Sequence, residues 1–186
     1  MNYTEIEAIK DKLKAALPEK TYLHSLRTVC MAMELSLGST ADRDVVFLAS
    51  LLHDCAKKRM PDERHLAELR DFIGYDSVIH APLGAMIAKE EYGIRDARVL
   101  DAIRYHTTGK AKMTIEEKIV FLADAIEDGR DYPEVAYIRE QTKCSLDNGV
   151  LASLKSTVNF VESKGNAVHP LTIEAMDYLK NEREMI

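Results

Sequence analysis

Val45-Val46-Phe47-Leu48-Ala49-Ser50-Leu51-Leu52-His53-Asp54 joins an apolar run to two residues that resist burial. Val45, Leu48, Leu51 and Leu52 recur at three- and four-residue steps, so a helix starting near Thr40 or Ala41 is expected to face a core along this run. It delivers an imidazole and a carboxylate to its inner end, where both are costly to remove from water without partners. The same period continues on both flanks. Ile6, Ile9, Leu13 and Leu17 form a stripe that stops at Pro18, and Tyr22, Leu26, Val29, Met33 and Leu37 form another that stops at Gly38. Further helices are expected near residues 62–72, 79–92, 95–106, 114–127, 134–144, 147–163 and 170–183. Strand-like alternation is nearly absent, which predicts an all-α fold: one compact helical array over residues 1–186. Gly93, Gly109, Gly129 and Gly165 fall at the expected breaks, where glycine supplies a positive φ easily.

An apolar fraction of 46% and a charged fraction of 30% are those of an ordinary globular chain, and 186 residues suffice to bury one core. The net charge of −6 argues against a long nucleic acid as partner, because binding to a phosphate backbone rests on clustered cations. A small polyphosphate is compatible with it, since a few local cations outweigh a mildly negative surface at close range. Lys57-Lys58-Arg59 is the compact basic run, and it follows His53-Asp54 closely. Cys30, Cys55 and Cys144 show no CxxC spacing, so neither a disulfide framework nor a thiolate zinc site is indicated, and a reducing cytoplasm is the expected compartment. The amino terminus lacks the regions of a signal peptide, and the longest apolar stretch, Val45 to Leu52, is too short to span a bilayer; no membrane partner is expected. Exposed Met or Tyr residues would be compatible with a homodimer.

A lone His-Asp pair is commonly a hydrogen-bonded imidazole beside a cap. The other histidines change that reading. His24 lies early in the second helix, His80 just before Pro82, and His106 at the end of Val99-Leu100-Asp101-Ala102-Ile103-Arg104-Tyr105. Asp124 follows Val120-Phe121-Leu122-Ala123 on the inner stripe of an apolar helix. Four imidazoles and two carboxylates in apolar settings are enough to hold two divalent ions with one carboxylate between them. Were each histidine only a satisfied core residue, one interior would need many separate polar partners. His65, in the charged run Asp62-Glu63-Arg64-His65, is expected to face solvent, and Cys55 to be a small apolar neighbour of the site.

The order His24, His53-Asp54, His80, His106, Asp124 resembles the HD superfamily of metal-dependent phosphohydrolases. More closely, His53-Asp54-Cys55-Ala56-Lys57, Tyr105-His106-Thr107-Thr108-Gly109, Ala123-Asp124-Ala125-Ile126-Glu127, Gly129-Arg130-Asp131 and His169-Pro170 resemble the YqeK family of symmetrical diadenosine tetraphosphate hydrolases. The match runs from about His24 to Pro170, with Asp128 where the family's Glu-Pro-Gly-Arg turn has proline. The resemblance implies an HD-type helical domain that hydrolyses diadenosine tetraphosphate to two ADP. It also implies two divalent or mixed-valence metal ions, iron foremost. Manganese, cobalt, nickel and zinc suit the same ligand types. By resemblance His24, His53, Asp54 and Asp124 would hold one ion, and His80 and His106 the second, with Asp54 shared.

For the phosphate chain the candidates are Lys57 and Arg130, cations able to stabilise a leaving diphosphate. Thr107, Thr108 and Gly109 are candidates for hydroxyl and backbone donors, and His169 resembles a family position near the nucleotide. Two other readings stay open at this point. One keeps the metals but changes the substrate to a nucleoside monophosphate, a guanosine alarmone or a cyclic dinucleotide. The other is a non-catalytic nucleotide-binding regulatory module.

Overall fold

Capping chemistry sets where the helices begin. In the computed structural model, which describes residues 3–184, the order is α1 (Tyr3–Ala16), α2 (Glu19–Leu35), α3 (Arg43–Leu52), α4 (Glu63–Leu69), α5 (His80–Glu91), α6 (Ala97–Tyr105), α7 (Ile115–Ile126), α8 (Val135–Cys144), α9 (Leu146–Ser163) and α10 (Pro170–Glu184). No strand occurs among the described residues. Helix α3 starts two to three residues later than Thr40 or Ala41 because Asp42 caps it, accepting from the N–H groups of Asp44 and Val45. The expected helix over 62–72 divides into α4 and a single 3-10 turn, Arg70–Phe72. Thr114 and Glu117 form a reciprocal capping box at the start of α7.

His65 does not face solvent. It is 3% exposed, and its Nδ1 accepts from the Asp62 N–H while its Nε2 lies 3.3 Å from Glu90 Oε2. The charged neighbours in sequence point outward; His65 folds back over the helix start to close a capping box with Asp62.

Helix α7 is apolar on nearly every side, the pattern of a buried helix. It packs against α2, α3, α6, α8 and α9 and contributes to all three apolar clusters of the core. Val120 joins Leu13, Leu52, Leu83 and Ile103. Leu122 and Ile126 join Ile138, Val150 and Leu154. Ile119 and Ala123 join Ala32 and Val46. Each Leu, Ile or Val among them contributes about 1.5–3 kcal/mol on full burial. Asp124 therefore stands on the helix whose position in the core is most firmly determined.

Gly93, Gly109 and Gly165 have the expected positive φ. Gly129 does not, and its need is space: a Cβ there would lie 2.6 Å from Arg27 Nε. No helix among the described residues is long and apolar enough to cross a membrane. All three cysteines are free.

Candidate metal centre

Three helices bring their carboxyl ends together here. His53 is the C-cap of α3, His106 the C-cap of α6, and Asp124 lies in the last turn of α7. The carboxyl end of a helix carries partial negative charge, so this convergence favours a cation. Both C-cap histidines use the same local device. His53 Nδ1 lies 2.7 Å from the Ser50 carbonyl oxygen and His106 Nδ1 lies 2.8 Å from that of Ile103. Each Nδ1 donates to a carbonyl three residues back, which turns Nε2 toward the interior as a free acceptor.

The inward atoms meet around Asp54. His24 Nε2 is 2.9 Å from Asp124 Oδ1 and 3.2 Å from His53 Nε2. Asp54 Oδ2 faces that side, 3.7 Å from His53 Nε2 and 3.9 Å from His24 Nε2. Its other oxygen, Oδ1, faces His80 Nε2 at 3.2 Å and His106 Nε2 at 3.7 Å. Two sets of donor atoms are near enough to share an ion: His24, His53 and Asp124, and His53, Asp54 and His106. His80 stands outside these two sets and reaches the centre through Asp54 Oδ1.

His106 Nε2 is buried without a hydrogen-bond partner, and Asp54 Oδ1 is buried with no aligned hydrogen bond, only the His80 ring and the Lys57 ammonium within ion-pair distance. Such orphans are rare in a folded interior and call for a group that satisfies several lone pairs at once. Imidazole nitrogens and carboxylate oxygens facing one another fit a divalent cation, so the residues present suit the metals that the sequence resemblance implies.

Electrostatics follow from the crowding. Burial pushes the Asp54 carboxyl up, but the His53 imidazole, with those of His106 and His80, outweighs this and holds it far below the usual carboxylate range. Burial likewise opposes ionisation of Asp124, and the close approach of the His24 ring, with the His53 ring and the Arg130 guanidinium, outweighs it and holds the carboxyl below its usual range. Full burial lowers His53 to about 4, leaving it neutral and able to ligate at pH 7. Burial pushes the Cys55 thiol up to about 12, reinforced by the Asp54 charge, and the thiol donates to the Gly84 carbonyl. Cys55 is a packing residue, not a nucleophile.

Two cations border the cluster. Lys57 Nζ is 3.3 Å from Asp54 Oδ1 and 3.0 Å from His80 Nε2. Arg130 binds Asp124 twice, through the side-chain oxygen Oδ1 and, at 2.7 Å, through the backbone carbonyl. Asp128 leaves this turn intact: the Arg130 N–H reaches the Glu127 carbonyl at 2.9 Å.

The expected phosphate donors divide. Thr108 is fully buried and gives its hydroxyl to the Gly109 carbonyl, while the Gly109 N–H is engaged by the Tyr105 carbonyl. Neither is a free donor, because closing the turn after α6 uses both. Thr107 keeps an unpaired hydroxyl. His169 is also committed: Nε2 bonds the Asp71 carbonyl, Nδ1 accepts from the Leu171 N–H, and the ring stacks on Phe72 at 4.6 Å. It clasps the start of α10 to the Arg70–Phe72 turn and offers no free nitrogen.

Sequence reading gave no role to Arg27 or Glu127, which meet behind His24. A signal existed. Arg27 is three residues from His24 and Glu127 three from Asp124, so each shares a helix face with its neighbour.

A family model described as the HD domain matches residues 21–129. The chain is 40% identical over 189 residues to a Staphylococcus aureus protein named symmetrical bis(5'-nucleosyl)-tetraphosphatase, covering 97% of each. A Halalkalibacterium halodurans protein of the same name is 37% identical over 178 residues, covering 92% of this chain and 95% of the relative. Among solved structures, a Clostridium acetobutylicum protein described as a predicted HD superfamily hydrolase involved in NAD metabolism superimposes with a TM-score of 0.88. It is 36% identical and covers 95% of this chain and 97% of that one.

Proposed function

Since the chain belongs to the HD-domain family, with near full-length relatives named as symmetrical tetraphosphatases, we propose that it hydrolyses diadenosine tetraphosphate to two ADP at a dinuclear metal centre. The observation that carries the metal reading is the two-sided environment of Asp54, whose oxygens face different pairs of imidazoles. His24, His53 and Asp124 would hold one ion, His80 and His106 the other, and Asp54 both. When bound, such ions generate a nucleophile from water near neutral pH and withdraw charge from phosphoryl oxygens. Iron is the metal the family resemblance favours; the ligand set is equally open to manganese, cobalt, nickel and zinc.

The remaining chemistry belongs to side chains. Lys57 and Arg130 are 40% and 38% exposed, so each reaches both the buried cluster and a polyphosphate arriving from solvent. Their charges offset the negative charge that grows on the leaving diphosphate. Arg130 also fixes Asp124. Water's oxygen bonds to a central phosphorus, the oxygen between the second and third phosphorus atoms leaves, and both products carry two phosphates.

The test is product analysis of metal-loaded protein acting on diadenosine tetraphosphate. ADP as sole product is expected; ATP with AMP would overturn the symmetrical cut. Faster turnover of a nucleoside monophosphate, a guanosine alarmone or a cyclic dinucleotide, compared by kcat/KM, would overturn the substrate.

A further inference from the structure

Glu127 is a carboxylate, 1% exposed, that lies behind the cluster and is bound from three directions. Its Oε1 accepts from His24 Nδ1 at 3.1 Å. Its Oε2 accepts from Arg27 Nε and from the Gly129 N–H, each at 2.6 Å. A buried charge of this kind is tolerated only when its lone pairs are engaged, and here both oxygens are. The turn is shaped around the pair, since a Cβ at Gly129 would lie 2.6 Å from Arg27 Nε and displace the guanidinium.

His24 needs this arrangement for a reason that does not apply to His53 or His106. Those two sit at helix ends and use carbonyls that lack the four-residue ladder bond, that of Ile103 holding only a long 3.5 Å bond from the His106 N–H. His24 lies inside α2, where the carbonyls are taken by the helix's own ladder. Its Nδ1 must find an acceptor on another helix, and Glu127 at the end of α7 supplies an anionic one.

We infer that Glu127 is the positioning residue for His24: it accepts the Nδ1 proton, holds the tautomer that aims Nε2 at His53 and Asp124, and is itself held by Arg27 and Gly129. The inference rests on reading the cluster as a metal centre. A carboxylate behind a ligating imidazole raises its basicity and fixes its ring, and loss of such a partner typically weakens metal binding by about 10–100-fold.

Wild type, Glu127→Gln and Arg27→Met are loaded with zinc and titrated with a competing chelator, with circular dichroism to establish folding and 15N spectra of the histidine rings. In Glu127→Gln the amide cannot accept on both sides, and zinc retention is expected to fall by about 10–100-fold, with loss of a slowly exchanging His24 Nδ1 proton. Arg27→Met, at a side chain 40% exposed, leaves the carboxylate unclamped and shifts both readouts the same way by less. If Glu127→Gln fails to fold, Arg27→Met decides. Variants that hold zinc like wild type and keep the His24 proton protected would overturn the inference. Wild type that binds no zinc would instead sink the metal reading. The His24 proton then decides alone: protection in wild type and loss in Glu127→Gln uphold positioning, and free exchange in wild type overturns it.

Discussion

Asp54 is 3% exposed and presents one oxygen to His24 and His53 and the other to His80 and His106. Asparagine keeps the shape but accepts on one side only. Asp54→Asn is therefore expected to lower kcat/KM by about 10³-fold or more, the several kcal/mol that a metal centre supplies to phosphoryl transfer. Circular dichroism should show the helices unchanged, and turnover within tenfold of wild type would refute the shared position. The six candidate ligands were legible in the sequence because each is a polar residue on or at the end of an apolar stripe, where solvation cannot satisfy it. His65 was not, because charged neighbours in the chain conceal a ring that folds back into a capping box. Thr108, Gly109 and His169 spend their hydrogen bonds closing the structure around them, and sequence does not show where a donor is spent.

At the scale of elements, helix ends do the positioning. The carboxyl ends of α3, α6 and α7 meet, and periodicity with breaking residues located these ends within a few residues. The division of the 62–72 segment and the reason for Gly129 depend on contacts between distant parts of the chain, which local pattern cannot carry. Gly149 is a similar case inside α9. Its hypothetical Cβ would stand 2.3 Å from Thr142 Oγ1 and 3.0 Å from the Thr142 Cα, so α8 and α9 pack together only because that side chain is missing. Thr142 cannot simply rotate without losing its bond to the Ile138 carbonyl. Gly149→Ala should cost about 1–3 kcal/mol as overpacking, outweighing alanine's higher helix propensity. Denaturant unfolding measures this, and a stabilised variant would show that the two helices part freely.

For the whole molecule, the centre ties α2, α3, α5, α6 and α7 together, joining segments a hundred residues apart through His24 and Asp124. Metal binding should then stabilise the fold, because the unfolded chain has no such arrangement. With free metal at about 100 times its Kd the gain is about 2.7 kcal/mol. For a chain of this size that corresponds to a fall in Tm of about 5–10 °C when the metal is stripped by chelator. An unchanged Tm in differential scanning calorimetry would mean that the ions bind elsewhere or not at all. The all-helical architecture itself was plain from periodicity, since ten amphipathic segments with no strand pattern have few ways to hide their apolar faces. The pairing of the two halves of the site was not, because it is made by the packing of α7 against α2, α3 and α6. Anomalous diffraction from crystals soaked in manganese locates the ions directly. Two peaks are expected on opposite sides of the Asp54 carboxylate, one against His24, His53 and Asp124 and the other against His80 and His106; a single peak, or peaks away from Asp54, would contradict the dinuclear centre.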